Sequence, residues 1–499
     1  MFQSVYRFVL NHPKKFLLLS GWLLLSADIE FFDGYAKVNI QSEPFYVSKD
    51  YLGVAIDAAM LTDGQWWADS NSPPRPLNMD NNELIKWAKL LSPKWLRLGG
   101  TEADKLWLAD SEAEASNPTF ESTLTKQQLN AFLNFADTIQ ARPFITASTG
   151  PLTRHLDEWQ PFQFTRLLSW LPKNYNGHIE FGNEMGAHWL MFSFSDQIGF
   201  EQYGAEYHQA KQLMQNYPNV KLAGPANAFW PKIGEPLKQI LGSSKSFLQQ
   251  DKKPDIFTWH YYPTQSDRCG INIKETDWDH LLDDETFEEF SRQSTKVASW
   301  ITDYSDETIL WLGETGASQC GGTEKLTDRF GSSLWWLAHL GTAAKTGNQT
   351  IIRQSLIGGD YALLRYNGHY SPTPDYWASV LWQKLMGAKG FNVKMTGAEE
   401  QIQSFAHCHP TKSNTLTLLL VNLKNKDIQI ELDHSDNMMV LSVDSLSIKS
   451  SFTFVQSQLA ETLNWQDIYK FGWIEIYSTT LLKGHSYQFI EMNDSIRCG

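Results

Sequence analysis

The sequence has few cysteines, no excess of basic residues and no long hydrophobic run in its body. Lysine and arginine number 42 against 56 acidic residues among 499, which gives a net charge of −14 at neutral pH. Because binding to polyanions requires a basic surface, nucleic acid and anionic lipid are poor candidates as general partners. A hydrophobic content of 42% predicts a folded chain with room for one large α/β domain and a smaller one.

One short apolar block lies near the N-terminus, and it is too short for a membrane span of about 20 residues. It reads FLLLSGWLLLSA over residues 16–27, follows Lys14 and Lys15, and precedes Asp28. These features are typical of a secretory signal, so we expect residues 1–27 to be a signal peptide of a secreted or periplasmic protein. The long polar leader leaves a second interpretation, in which residues 16–27 stay as an uncleaved membrane anchor.

Internal repeats and low-complexity linkers are absent as well. His260 has no second histidine or cysteine at ligand spacing, so we predict no metal and no other cofactor. Export would permit disulfides, and four cysteines allow three pairings. They are Cys269, Cys320, Cys408 and Cys498.

Between residues 51 and 390, apolar runs of strand length alternate with amphipathic helical stretches. The strand candidates are 51–57, 95–100, 143–148, 178–184, 219–225, 256–262, 309–314 and 350–355. Eight such units predict an α/β fold of the (β/α)8 TIM barrel type, whose active site lies where the strands end.

After residue 390 the pattern changes to short alternating runs separated by Asn, Asp, Ser and Gly. This pattern is typical of an antiparallel β-sandwich, which we predict for residues 391–499. The segment 28–50 before the barrel is also strand-like, and we expect it to join the sandwich.

Two glutamates, Glu184 and Glu314, follow or end the fourth and seventh predicted strands. Hydrolysis of a glycosidic bond needs one carboxylic acid to protonate the leaving oxygen and one carboxylate to meet the developing oxocarbenium ion. A glutamate after a strand is more often a helix-start or solvated charge, but the pair with Asn183 before the first favours a retaining glycosidase. Asn183 is suited to bind the sugar 2-hydroxyl.

The sixth strand ends in His260, Tyr261 and Tyr262. We place His260 and Tyr262 among the substrate-site residues, with the Tyr262 hydroxyl orienting the nucleophile. An ordinary buried ring explains either tyrosine almost equally well.

Several longer segments resemble the heparanase family of endo-β-glucuronidases, glycoside hydrolase family 79, a family of retaining barrel enzymes with Asn-Glu after strand four. The segments are LGVAIDA (52–58), WLRLGGTEADKLWL (95–108), IEFGNE (179–184), IFTWHYY (256–262), ILWLGETGASQCGG (309–322), IIRQSLIGGDYALL (351–364) and PTPDYWASVLWQKLMGAKG (372–390).

The resemblance implies that Glu184 is the acid/base and Glu314 the nucleophile. It implies contacts with the sugar for Asp57, Thr101 and Asn183. It also implies that Gly359 and Tyr361 face the uronate carboxylate, with backbone donors at Gly321 and Gly322, where glycine permits close approach to a ligand.

The same resemblance pairs Cys408 with Cys498. We expect a second bridge between Cys269 and Cys320, on neighbouring loops after strands six and seven, although free thiols in a reducing compartment are the alternative. Two departures from the family concern function. The long excised linker of the animal enzyme is missing, so we expect an uncut chain, and Glu102 replaces a lysine, which weakens the case for a heavily sulfated substrate.

We therefore predict a monomeric retaining β-glucuronidase that acts on a glucuronic-acid-containing polysaccharide or glucuronide. Two alternatives stay open. One is exo action on small glucuronides rather than endo cleavage, which depends on whether loops such as 62–76 close one end of the cleft. The other is a glycan-binding protein without catalysis.

Overall fold

The computed structural model describes residues 34–62, 72–250, 253–433 and 437–499. The predicted signal or anchor segment 1–27, the start of the strand-like segment 28–50 and most of the loop 62–76 lie outside these residues. Within them, no helix is both long and apolar enough to cross a bilayer.

Eight parallel strands close into a barrel, which confirms the predicted fold class. Each strand pairs with the next along the chain, and β7 pairs with β8, which returns to β1. The strands are β1 (Leu52–Asp57), β2 (Trp95–Gly99), β3 (Arg142–Ala147), β4 (His178–Phe181), β5 (Leu222–Phe229), β6 (Ile256–Tyr261), β7 (Ile309–Thr315) and β8 (Thr350–Ile357).

Helices follow seven of the eight strands and surround the barrel. They are α1 (Asn82–Leu91), α2 (Lys126–Thr138), α3 (Phe162–Trp170), α4 (Phe200–Leu213), α5 (Asp284–Tyr304), α6 (Phe330–Lys345) and α7 (Pro374–Leu385). Between β5 and β6 two short helices, Lys238–Leu241 and Lys245–Leu248, take the place of a full one.

The start of α2 shows how local sequence sets an element. Thr125 and Gln128 form a capping box in which each side chain bonds the other residue's backbone N–H. Such a box satisfies two N–H groups that a helix start otherwise leaves unpaired. Leu129, Phe132 and Phe135 then recur on one face and are buried in the barrel core.

The side chains that point into the barrel form layers, because alternate residues of each strand face inward. At the end where the strands begin, Trp95, Phe144 and Trp311 belong to one apolar cluster. Two residues further along β2 and β3 the interior positions are Arg97 and Thr146, both buried. Because alternate residues point to the same face of a strand, an apolar floor gives way to a polar layer nearer the active-site end.

The C-terminal region forms one continuous, mostly antiparallel sheet of eleven strands. The N-terminal strand Tyr35–Tyr46 lies within it, antiparallel to Lys389–Thr396 and parallel to Ile428–Leu432. The remaining strands are Ile402–Cys408, Thr415–Asn422, Met438–Asp444, Phe454–Val455, Gln458–Leu459, Ile474–Ile476, Thr479–Leu482 and Tyr487–Asn493.

The sheet packs against the barrel through helix α6. Leu416, Leu418 and Leu420 belong to the core of the sheet itself, whereas Leu419 and Val421 join the barrel core. A strand with both faces buried explains the unbroken apolar run of this segment. The predicted bridge between Cys408 and Cys498 is confirmed and ties the chain end to the sheet.

Candidate active site

Glu184 lies just past the end of β4 in an uncommon backbone conformation. Its φ and ψ are 49° and 42°, and its backbone N–H donates to the carbonyl of Ala226 at 2.9 Å. Left-handed φ values in residues other than glycine cluster at functional sites. The side chain is 4% exposed and lines a pocket at the strand ends.

Glu314 lies within β7 and faces the same pocket. Its Oε1 accepts a hydrogen bond from the Tyr262 hydroxyl at 2.7 Å, and its Oε2 accepts one from Arg97 Nη1 at 2.6 Å. Two donors, one of them charged, hold the carboxylate in a single orientation.

His260 lies between the two carboxylates. Its Nδ1 is 3.1 Å from Glu184 Oε1 and 4.0 Å from Glu314 Oε2. One ligand-type atom from each of the three side chains lies within 4.8 Å of the others. The structure therefore brings together two glutamates that are 130 positions apart in the chain.

A second carboxylate layer lies beneath this pair. Glu180 on β4 is fully buried and contacts Arg97 through Nη2 at 2.7 Å and Nε at 2.9 Å. Thr146 donates to the same carboxylate at 2.8 Å. Arg97 is thus a buried cation shared by Glu180 and Glu314, and it also donates to the side-chain oxygen of Asn183 at 2.8 Å.

The surroundings shift the pKa values of Glu184 and Glu314 in opposite directions. Burial raises the pKa of Glu184 above its usual 4.5, and the hydrogen bond from His260 offsets only part of this. Burial acts on Glu314 in the same direction, but the charges of His260 and Arg97 and the Tyr262 hydrogen bond leave its pKa below 4.5. One carboxyl group is disposed to hold a proton and the other to be ionised.

The deeper groups are charged as well. Burial alone would raise the pKa of Glu180, yet Arg97 and His260 lower it to about 2. Burial alone would lower the pKa of His260, yet Glu314, Glu180 and Glu184 raise it to about 9. At neutral pH an imidazolium and a guanidinium therefore balance the buried carboxylates.

Asp57, the last residue of β1, is a third acid in the pocket. Burial raises its pKa to about 8. Gln354 Nε2 donates to its Oδ2 at 3.1 Å, and the backbone N–H of Ala59 donates to its Oδ1 at 3.0 Å. A neutral Asp57 at neutral pH presents a hydroxyl donor to the pocket.

Seven of the eleven predicted site residues other than cysteine line this pocket: Asp57, Thr101, Glu184, Tyr262, Glu314, Gly321 and Tyr361. Its other lining residues are Gly100, Met191, Gln319, Cys320 and Gln354. Asn183 and His260 are not among the lining residues. His260 contacts the lining residue Glu184, and Asn183 accepts a hydrogen bond from Arg97, which also donates to Glu314.

The two remaining predicted glycines, Gly322 and Gly359, are not among the lining residues. A Cβ on Gly322 would lie 2.6 Å from the backbone nitrogen of Tyr361, so only glycine fits. The backbone N–H of Gly359, predicted to face a uronate, donates to the Ser72 hydroxyl at 3.1 Å.

Sequence reasoning gave no role to Glu180 or Asp104. Asp104 Oδ2 accepts from the backbone N–H of Asn183 at 2.8 Å and lies 3.0 Å from His188 Nε2, so it holds the turn that carries Glu184. One signal in the sequence could have identified Glu180. It is a charged residue within the strand HIEF, and alternation places it on the same face as His178, two positions earlier.

The predicted bridge between Cys269 and Cys320 is confirmed, with 5.5 Å between the Cα atoms. It joins the loops after β6 and β7 beside the pocket. Arg268, next to it, donates to the Gly322 carbonyl and pairs with Asp360 Oδ2, each at 2.6 Å. These links stiffen one side of the pocket mouth.

Glu184, His260 and Glu314 are close enough together to hold a cation, and no other such group occurs in the described part of the chain. Arg97, 2.6 Å from Glu314, already supplies a positive charge there. A charged His260 would repel a metal. The donor set therefore fits a metal poorly, and a metal-free site stays our prediction.

The family model described as glycosyl hydrolase family 79, N-terminal domain, matches residues 153–341. Heparanase from Rattus norvegicus is 27% identical over 462 residues, covering 81% of this chain and 80% of the relative. Baicalin-beta-D-glucuronidase from Scutellaria baicalensis is 26% identical over 395 residues, 72% of each chain. Inactive heparanase-2 from Homo sapiens is 25% identical over 354 residues, 68% of this chain and 57% of the relative.

Solved structures of glycosidases share the architecture. A family 51 arabinofuranosidase from Xanthomonas axonopodis pv. citri aligns with a TM-score of 0.64 and 10% identity, covering 92% of this chain and all of that one. A 4-O-α-L-rhamnosyl-β-D-glucuronidase from Fusarium oxysporum aligns with a TM-score of 0.63 and 15% identity, covering 91% and 100%. At such identities the likeness concerns the fold alone.

Proposed function

This chain belongs to the heparanase family, glycoside hydrolase family 79, and on that premise we propose that it is a retaining β-glucuronidase that acts by double displacement. That it is a glycoside hydrolase follows from the family and its relatives. What we propose beyond this is that the reaction retains the anomeric configuration, that the sugar is a β-glucuronide, and that the residues act as described below.

The closeness of Glu184 and Glu314 is the observation that carries this proposal. Ligand-type atoms of the two side chains lie within 4.8 Å. Retaining enzymes hold their two carboxyl groups about 5–5.5 Å apart, whereas inverting enzymes need about 6.5–9.5 Å to place a water between them. The short separation favours direct attack by a carboxylate.

The acidities support the division of roles. Glu184, with a raised pKa, protonates the leaving oxygen, and Glu314, ionised, attacks the anomeric carbon to form a glycosyl-enzyme. Glu184 then removes a proton from the water that hydrolyses the intermediate. Arg97 and Tyr262 hold Glu314 in position through the hydrogen bonds they donate to it.

For the uronate, we propose recognition by neutral donors rather than by a cation. Gly321 and Tyr361 line the pocket, and no lysine or arginine is among the described lining residues. Backbone N–H and phenol groups can donate hydrogen bonds to a carboxylate. Because they are neutral, they do not form an ion pair with Glu314, as a lysine or arginine would. For Gly359 to bind the uronate as well, its backbone N–H would first have to break its hydrogen bond to the Ser72 hydroxyl.

The test measures hydrolysis of phenyl β-glucuronide and phenyl β-glucoside by the wild type and by Glu184→Gln and Glu314→Gln. We expect preference for the glucuronide and a loss of more than about 10³-fold in each variant. In Glu184→Ala and Glu314→Ala, where the shortened side chain leaves space for an anion, azide should restore turnover of an activated aryl glucuronide. The product should be β-glucuronosyl azide in Glu184→Ala and the α anomer in Glu314→Ala. Proton NMR of early product must show the β anomer, and an α anomer contradicts retention.

A glycan-binding protein without catalysis is the second candidate, because one relative is named an inactive heparanase. Both pocket carboxylates are present in this chain, which favours catalysis. Binding of a glucuronide by calorimetry with no hydrolysis in the wild type would establish the second candidate instead.

We further propose that the protein is an exported monomer. Two disulfides fit an oxidising compartment. Fractionation of the expressing cells and mass measurement of the mature N-terminus test the predicted signal against the anchor. Light scattering tests the monomer.

A further inference from the structure

A small apolar cluster lies beside Glu184, apart from the barrel core. Ala187, Ala228 and Trp230 are its buried members. Four large side chains pack on them while staying partly exposed: Trp189, Leu190, Ile271 and Ile273. The loops after β4 and β6 supply these four residues.

The cluster adjoins a residue of the catalytic pocket along the chain. Met191, which follows Leu190, lines the pocket itself. Leu190 also reaches across to the second loop, where its Cδ1 would lie 3.9 Å from a Cβ placed on Gly270. Further along the first loop, Phe194 is 64% exposed. An apolar wall thus runs outward from the pocket.

The wall is on the side where the leaving group must lie. In the proposed mechanism Glu184 protonates the leaving oxygen, so the departing group extends past Glu184. The segment 185–194 follows Glu184 directly, and its Met191 lines the same pocket as Glu184.

Charge argues against a polyanion in this place. The pocket residues include the ionised Glu314 and, among those described, no lysine or arginine that could pair with a sulfate. Arg268 is engaged by Asp360 and the Gly322 carbonyl. Lys232, exposed on the turn after Trp230, is a cation next to the cluster in the chain. Sulfated chains bind through several cations with charge-assisted hydrogen bonds.

We propose that this wall, formed by Trp189, Leu190, Met191, Ile271 and Ile273, is a leaving-group subsite for a flat apolar aglycone. The inference rests on the proposed function and deepens it. The preferred substrate is then a glucuronide of an aromatic or other apolar alcohol, cleaved from the exo side. Contact with the wall removes apolar surface of both partners from water, which favours such aglycones over hydrated, charged ones.

The test compares 2-naphthyl with phenyl β-glucuronide, because the two leaving groups have similar acidity and differ mainly in apolar area. A heparan sulfate hexasaccharide is the polyanionic probe. The variants are Leu190→Asn and Ile271→Asn. Leu446→Asn is the matched control, at a leucine that is 81% exposed in the loop after the strand Met438–Asp444, and Lys232→Gln tests the charge.

We expect kcat/KM for the naphthyl substrate to exceed that for the phenyl substrate about tenfold, which is within the range set by added apolar contact. Leu190→Asn and Ile271→Asn should each reduce that ratio at least threefold, mainly through a higher KM for the naphthyl substrate, and the phenyl substrate should lose less because it offers less apolar area. Leu446→Asn and Lys232→Gln should leave the ratio as it is. Thermal melts identify any variant that fails to fold, and Leu190→Ala then replaces it.

A ratio near one, or a ratio unchanged in both wall variants, overturns the subsite while leaving the glucuronidase proposal intact. The subsite is also overturned, in favour of a polyanion, if the hexasaccharide is cleaved faster than the naphthyl glucuronide and Lys232→Gln abolishes that cleavage. If no glucuronide is hydrolysed, the proposed function fails, and calorimetric binding to Glu314→Gln then decides the subsite. Tighter binding of the naphthyl than of the phenyl glucuronide supports the subsite even then, and equal binding refutes it.

Discussion

Glu180 is the carboxylate on which the charge balance of the barrel centre depends, and replacing it by glutamine tests the whole arrangement. The substitution Glu180→Gln keeps the shape and removes one negative charge. Arg97 then retains Glu314 and Asn183 as partners but loses its fully buried counter-ion. Glu180 does not line the pocket, so effects on substrate contact are indirect.

Two estimates of the cost agree. Breaking a buried ion pair by removing one partner typically costs about 3–5 kcal/mol. A pKa of about 2, lowered from 4.5 by Arg97 and His260 against the effect of burial, corresponds to about 3 kcal/mol. Because the folded pKa is depressed, this contribution is present above pH 4.5 and is lost as the pH falls through about 2.

Chemical denaturation of the wild type and Glu180→Gln between pH 7 and pH 3 measures the effect. We expect a deficit of about 3 kcal/mol in the variant at pH 7, which narrows below pH 4.5. In the variant the pKa of His260, followed by NMR of the imidazole, should also fall from about 9. Thr146→Val is the control, because it removes a hydrogen bond to Glu180 and keeps the charge.

The control should cost about 1 kcal/mol, with little change from pH 7 to pH 5. A Glu180→Gln variant as stable as the wild type at pH 7 would refute the reasoning. So would a deficit that stays constant down to pH 3, since the lost contribution would then not depend on ionisation of this carboxylate.

Three further predictions concern the same region. Tyr262→Phe removes a hydrogen bond to Glu314, so kcat on an aryl glucuronide should fall about 10²-fold with unchanged circular dichroism; an unaltered kcat would show that the hydroxyl plays no part. Replacing both Cys269 and Cys320 by serine opens a loop of 51 residues and should lower the free energy of unfolding by about 4 kcal/mol in denaturant titrations, and a variant of equal stability would contradict this. The pKa of His260 is raised from 6.5 to about 9, so protonation of this residue adds about 3 kcal/mol to the free energy of unfolding below pH 6.5. This contribution is lost as the pH rises through about 9. Denaturation at successive pH values should show this decline in the wild type and a flatter profile in His260→Gln, and equal slopes would be evidence against it.

Local sequence determined the elements well where one periodicity dominated. The stretch NNELIKWAKLL predicts a helix, and the structure has α1 at Asn82–Leu91, capped by Asn81. Strand β5 differs, because it was expected at 219–225 and lies at Leu222–Phe229. A proline within a run counts against a strand, yet pairing with β6 carries this one on to Phe229.

The sequence by itself determined that Asn183, Glu184 and Glu314 belong at strand ends of a barrel, because the order of apolar runs and polar ends follows from short-range pattern. The resemblance implied which of the two glutamates keeps a proton, but only the tertiary structure supplies the physical reason. That depends on Arg97, Glu180 and His260, which lie on three different strands. Electrostatic interaction depends on distances through space, and strand closure alone sets those distances.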